Sequence, residues 1–317
     1  MPTRKSPRKG SLQFWPRKRA NKFLPSVNWD AINSEKNLKG FICYKVGMAS
    51  AYVKDNTEHS LTKGKNIIVP VTILECPPMK ILSVRFYKHG KVATEILAEN
   101  FDKELKRKLK LPKNKSGLKK IDSINKEDFE DIKIIAYSIV KKTGLKKKPD
   151  LVEIGVSGES IEEKLNYVKE NLNKEIFVTD VFDKNGLADV RGLTKGKGFQ
   201  GAVKRFGIKL RFHKTEKGQR KVGSIGPWHP ARVTFRVPMP GQLGMFTRVV
   251  YNSKIVDVGK SSEKPIKNIK NYGDVRTDYI LLKGSVQGPA KRQLVITKAL
   301  RETKKQKKKE YDLISLR

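Results

Sequence analysis

The chain has 317 residues, with 69 Lys plus Arg against 32 Asp plus Glu, a formal net charge of +37 and a pI near 10.1. A compact monomer is comfortable at a net charge of roughly 2–8, so this excess calls for a polyanion, nucleic acid first and an acidic membrane surface second. The longest apolar candidate, Ile67 to Leu74, is eight residues and contains Pro70; a spanning helix needs about 18, and no membrane partner is expected.

Residues 1–40 read as a basic arm. Up to Trp29 there is no acid, and Pro2, Pro7, Pro16 and Pro25 interrupt any helix. No apolar stretch follows Arg4, Lys5, Arg8, Lys9, Arg17, Lys18, Arg19 and Lys22 that could act as a secretory signal, so the cytoplasm is the expected compartment. Phe14, Trp15 and Phe23 lie among these cations, a mixture suited to stacking on bases and pairing with phosphates.

Residues 41–98 read as strands, Ile42 to Met48, Ala51 to Lys54, Ile67 to Leu74, Ile81 to Tyr87 and Val92 to Leu97, with Gly47, Gly64, Pro77, Pro78 and Gly90 as turn signals. They are expected to form the first part of a small barrel. Cys43 and Cys76 fall inside this text without metal-ligand spacing and read as buried apolar residues, so no metal is expected.

Residues 99–182 read as an α/β insertion. Phe129, Ile132, Ala136, Ile139 and Val140 suggest one face of a helix ending at Gly144, with the acids Glu127, Asp128, Glu130 and Asp131 on its wet side. A strand is expected at Leu151 to Val156. Ser160 and Glu163 then form a capping box ahead of the stripe Ile161, Leu165, Val168 and Leu172, and Ile176 to Phe182 reads as a further strand.

Residues 183–258 should carry barrel strands and, at about 191–246, a basic finger. From Arg191 to Lys254 there are 15 Lys or Arg against one acid, Glu216, together with ten of the 24 glycines. Such a segment cannot build a core and is expected to be an extended loop that orders on its partner. Strand text resumes at Thr247 to Val258, with a hairpin turn expected at Asn252-Ser253, and at Tyr279 to Val286 and Leu294 to Thr297, so that 259–297 close the sheet begun at Ile42. Residues 298–317 read as a basic tail.

Enzymatic motifs are weak. Gly196 to Gly201 spells G-x-G-x-x-G, but Arg191 to Lys195 do not read as the buried strand that a dinucleotide site needs, nor does a ribose-binding acid follow between Glu216 and Asp257. Gly259-Lys260-Ser261 lacks the earlier glycine of a phosphate-binding loop, its place taken by Lys254. The four histidines, His59, His89, His213 and His229, form no HExxH pair. No catalytic constellation, cofactor or small-molecule substrate is expected. The rival readings are an RNA-acting enzyme that uses the glycine-rich loop for a cofactor, and a nonspecific DNA compactor.

Gly192 to Gly201 with Val203 to Gly207, Arg220 to Val233, Pro240 to Gly244 with Thr247-Arg248, and the arm blocks Arg8 to Leu12 and Pro16 to Arg19 closely resemble the L-three family of large-subunit ribosomal proteins. The length and arm look archaeal. The resemblance implies a mostly β fold, a translation-protein-type β-barrel with an α/β insertion, a long basic N-terminal arm and an internal finger extension. It implies direct binding of 23S rRNA near its 3′ end, a role early in 50S assembly, and a finger approaching the peptidyl-transferase centre with its tip at Gly226 to Pro230. The implied protein neighbours are the fourteen and twenty-four-e proteins of the large subunit. Matching basic positions are Lys195, Lys197, Lys204, Arg205, Lys209, Arg211, Lys214, Lys217, Arg220, Lys221, Arg232, Arg236 and Arg248, with Trp228 and His229 at the tip. Eukaryotic members carry a modifiable histidine where this chain has Glu216, so no modification and no specific contact carries over; Glu216 would face phosphates unless it pairs with a basic neighbour such as Lys214 or Arg220.

Overall fold

The structure is a computed structural model and describes residues 10–34, 38–112, 121 and 128–317. The chain divides into a basic unit, Met1–Lys22 with Leu193–Thr247, and a barrel unit, Phe23–Gly192 with Arg248–Arg317. The described strands are β1 (Gly40–Asp55), β2 (Asn66–Glu75), β3 (Met79–Lys88), β4 (Lys91–Leu97), β5 (Asp131–Ser138), β6 (Leu151–Gly155), β7 (Leu187–Leu193), β8 (Phe199–Gln200), β9 (Gly241–Gln242), β10 (Thr247–Gly259), β11 (Tyr279–Lys283), β12 (Gln293–Lys298) and β13 (Tyr311–Leu316).

A ring closes in the order β12-β7-β10-β11-β2-β1, because the first half of β1 pairs antiparallel with β12, Gly40 opposite Thr297 and Ile42 opposite Val295. The second half of β1 takes β13 instead, Ala51 opposite Leu316. Alternation drives this pairing: Val69, Val71 and Ile73 of β2 point inward onto Ala51, Val53, Val256 and Leu281, while Ile68 and Pro70 face out. A second antiparallel sheet, β4-β3-β5-β6, shares a larger core with the helix Ile161–Asn171 and with ring residues such as Ile42, Val295 and Ile296. Each buried Leu, Ile or Val there contributes roughly 1.5–3 kcal/mol.

Several expectations are corrected. β3 and β4 leave the barrel for the second sheet. The helix expected over Phe129 to Val140 is strand β5, in which Ile132, Ile134 and Ala136 are buried at alternate positions; at 131–136 period two and period 3.6 share the same apolar letters, and pairing with both β3 and β6 decides for the strand. β1 runs unbroken from 40 to 55, with Gly47 at a bulge against β2 rather than in a turn. Ile176 makes one bridge to Met79, after which Val178–Asp180 forms a 3-10 turn because Asp180 Oδ2 accepts the Phe177 N–H at 2.9 Å. The expected hairpin at Asn252 is a kink inside continuous β10, where Asn252 takes φ 54° and Asp189 Oδ1 accepts its N–H at 2.8 Å. β11 stops at Lys283, short of Val286. The segment expected to be a basic tail ends in β13. Only the cap of the insertion helix differs in detail: Ser160 Oγ accepts the Glu163 N–H at 3.2 Å, but Glu163 reaches back to the N–H of Glu159.

The arm also ends earlier than expected. Trp29, 2% exposed, and Ile32 enter the core, where Gly40 and Gly155 leave room for the indole, since a Cβ on Gly155 would lie 2.7 Å from Trp29 Cβ. Cys43 and Cys76 are free, buried and 3.0 Å apart at sulfur.

Asp55, 4% exposed at the end of β1, organises the turn to β2. Burial opposes its ionisation, but hydrogen bonds from Thr57, Thr62 and Ser60 outweigh this and bring its pKa down to about 2 from 3.8. Its contribution to stability is complete above about pH 4 and is lost as pH falls through about 2. Acid titration of folding free energy should therefore show wild type more stable than Asp55→Asn at pH 6 and the gap closing between pH 4 and pH 2; a constant gap would remove the carboxylate from this role.

Candidate nucleic-acid interface

The basic unit holds 20 Lys or Arg against one acid, so half of the net charge of +37 sits on about a quarter of the chain. Carboxylates within the unit cannot neutralise it. Its regular structure is slight: a two-residue ladder of β8 with β9, and the helix Ala202–Phe206. Nearly every residue from 207 to 240 is exposed or half-buried.

Two segments far apart in sequence meet at Phe206. Arg17 lies with its guanidinium carbon 4.4 Å from the Phe206 ring centroid and that of Arg205 5.1 Å from it. A Cβ on Gly10, which has φ +84°, would collide with the same ring, so the close approach of the arm requires glycine. Arg205 donates from Nε to the carbonyl of Gln242 at 3.0 Å and from Nη1 to that of Met239 at 2.9 Å, while Arg17 Nη1 donates to the Arg205 carbonyl at 3.3 Å. Burial first, and then the charge of Arg17, hold Arg205 below the usual guanidinium range. Trp15 adds an edge-on contact with Phe235, ring centroids 5.6 Å apart, and the Ala20 N–H donates to the Met245 carbonyl at 3.0 Å.

The structure places the sequence-derived candidates as follows. Arg4, Lys5, Arg8 and Lys9 lie outside the described residues. Lys18, Arg19, Lys22, Lys195, Lys197, Lys204, Lys209, Lys214, Lys217, Arg220, Lys221, Arg232 and Arg236 are exposed, as is His229. Arg17 and Arg205 face inward on the carbonyls just described. Arg211 is half-buried; its backbone N–H reaches the Gln219 carbonyl at 3.1 Å and its guanidinium the carbonyl of Val222, closing a small loop that carries Glu216. Among the described residues Glu216 makes no ion pair, so of the two alternatives left open it does not pair with Lys214 or Arg220. Arg248 belongs to β10 in the barrel unit, where its carbonyl accepts from Gln287 at 3.1 Å.

Trp228 is 87% exposed, which rules out a core role. Phe199, Phe212 and Phe235 are also largely exposed, and sequence reasoning missed them as stacking candidates although they interleave with cations as the aromatics of the arm do. Flat exposed rings in a strongly positive field suit bases and phosphates together.

The glycine motif is also clarified. Contrary to expectation, a buried strand, β7, does precede it, and a helix follows. That helix has only five residues, β7 pairs antiparallel with β12, and Phe199–Gln200 within the motif joins a ladder. A dinucleotide cradle needs parallel strands and a long helix N-terminus. Among the described residues no His, Cys, Asp and Glu cluster could hold a metal, and no helix is long and apolar enough to cross a membrane.

A closed β ring joined in sequence to a cation-rich, aromatic-bearing unit defines a structural nucleic-acid-binding protein. Residues 1–316 match the family model for ribosomal protein L3. The chain is 44% identical over 307 residues to the large ribosomal subunit protein uL3 of Methanocaldococcus jannaschii, covering 93% of this chain and 91% of that one. It is 42% identical to the corresponding protein of Methanobrevibacter smithii over 94% of this chain and 93% of that one, and 41% identical to that of Methanococcus maripaludis over 93% and 91%. The chain belongs to the ribosomal protein L3 family, which consists of structural proteins and not of enzymes.

Proposed function

We propose that this chain is a structural component of the large ribosomal subunit in the cytoplasm, binding 23S rRNA directly near its 3′ end and acting early in subunit assembly. The carrying observation is the coincidence, on one unit, of 20 cations against one acid with four widely exposed aromatic rings. The exposed lysines and arginines of arm and finger neutralise phosphates, each contact releasing counterions. Arg17 and Arg205 hold the arm against the base of the finger, and Trp228 stacks at the finger tip near the peptidyl-transferase centre. The closed ring corresponds to the translation-protein barrel, and the fourteen and twenty-four-e proteins are the proposed protein neighbours. This reading is supported by the family membership and by the relatives described above, which are large-subunit proteins.

Competition decides it. A labelled 23S rRNA fragment from the 3′ region, bound at physiological salt, should resist displacement by an equal mass of duplex DNA by at least tenfold. Equal displacement would favour the DNA-compacting reading.

A further inference from the structure

We propose that the barrel unit carries a second phosphate-binding face, formed by residues 103–110 and 141–148 and suited to the backbone of double-helical RNA. The inference deepens the proposed rRNA-binding function and rests on it.

The segment 103–110, KELKRKLK, has five cations and one acid; 141–148, KKTGLKKK, has five cations and none. The fold brings the two together. Lys141 Nζ lies 3.6 Å from Glu104 Oε1, Lys108 Nζ donates to the Pro149 carbonyl at 3.1 Å, and the same Nζ lies 4.0 Å from Asp150 Oδ1. Among the described residues the acids nearby already have partners, Glu175 on Lys142 and the others as follows. Asp102 accepts from Tyr137 at 2.8 Å and pairs with Lys80, Glu104 pairs with Lys141, and Asp150 accepts from Tyr44 at 2.6 Å and pairs with Lys146. Lys103, Lys106, Arg107, Lys110, Lys147 and Lys148 are left exposed, with no ion pair among the described residues. Burial, with Asp150 opposing and the charges of Lys146 and Lys148 assisting, holds Lys108 below the usual amine value.

The backbone beneath them is fixed. Leu105, fully buried, packs with Leu82 and Tyr137, and the Lys108 N–H returns to the Leu105 carbonyl at 2.9 Å. On the other segment Thr143 Oγ1 donates to the Val140 carbonyl at 2.7 Å, and Gly144 ends the turn at φ +71°. A fixed backbone removes the loop-ordering part of the cost of binding and leaves that of the long side chains.

The chemistry of the face selects its ligand. Nine of the ten cations are lysines, point charges that bind phosphate without bidentate geometry. Leu109 is the only large apolar residue exposed on either segment, and neither exposes an aromatic ring on which an unpaired base could stack. A duplex presents phosphates and hides its bases, and RNA duplexes are recognised largely through that backbone.

The test uses the full chain carrying Lys106→Gln, Arg107→Gln, Lys110→Gln, Lys147→Gln and Lys148→Gln, bound to the 23S rRNA fragment across a salt series. At 0.7–0.9 log units per contact, the slope of log affinity against log salt should fall by about 4, and the matching set with arginine at all five positions should restore it. An unchanged slope overturns the second face while leaving the proposed function intact, provided that finger neutralisation still lowers the slope. Loss of polyglutamate binding with an unchanged RNA slope makes the face a peptide site and overturns the proposal. A wild type that does not bind the fragment overturns both.

Discussion

Replacing residues 211–232 with a short glycine–serine linker should leave the barrel unit folded and sharply weaken RNA binding. The deleted segment contributes Arg211, Lys214, Lys217, Arg220, Lys221 and Arg232, and it removes Trp228. None of the three apolar clusters contains a residue from it. Changes at exposed positions usually cost less than about 0.5 kcal/mol, so the thermal midpoint should move by no more than about 2 °C. The five exposed cations among them, lost as phosphate contacts, should lower the salt slope by about 3.5–4.5 log units per log unit. Reconstituted large subunits should sediment as incomplete particles. If the variant instead unfolds, the finger is part of the core and the division between the two units is wrong.

Glu75→Ala should destabilise the barrel unit by about 4 kcal/mol. Glu75 is fully buried at the end of β2, where its carboxylate accepts from Tyr272, from the Arg276 N–H at 2.8 Å, and from the N–H and Oγ1 of Thr277 at 3.0 and 3.1 Å. Burial, reinforced by the charge of Glu75, pushes the Tyr272 phenol far above its usual range, so it stays a donor. The alanine orphans four donors, each costing roughly 1–3 kcal/mol when left buried and unmatched, with partial relief from entering water. In a unit of this size each kcal/mol is worth about 2–4 °C, so calorimetry should record a fall near 10 °C. Glu75→Gln, which keeps an acceptor oxygen, should fall in between. A loss under about 1 kcal/mol would show that the 260–278 connection is held by its apolar contacts alone.

The ring strands were legible because one face is buried and the other wet, which writes period two into β2 and into the second half of β1. The insertion was not. β5 carries Ile132, Ile134, Ile135 and Ala136 under cover from both sides, and such a run fits either period until its neighbours are known. The pairing of β13 with the second half of β1 was hidden behind the lysine run before it, which reads as solvent-facing although Tyr311 is buried. Composition marked the finger as exposed and basic. The meeting of arm and finger at Phe206 left only one trace, the glycine at position 10, whose meaning depends on a ring 196 positions away.

The pairing of β1 with β12 and β13 has a consequence for biosynthesis. Residues 40–55 leave the exit tunnel long before residues 293–316 are polymerised, and at about 5–20 residues per second the delay is of order ten seconds or more. Throughout that interval a sixteen-residue strand lacks its final neighbours on one side. An open strand margin is an invitation to off-pathway association, so the nascent polypeptide is most vulnerable after its earliest sheet has emerged and before its last strand has been made.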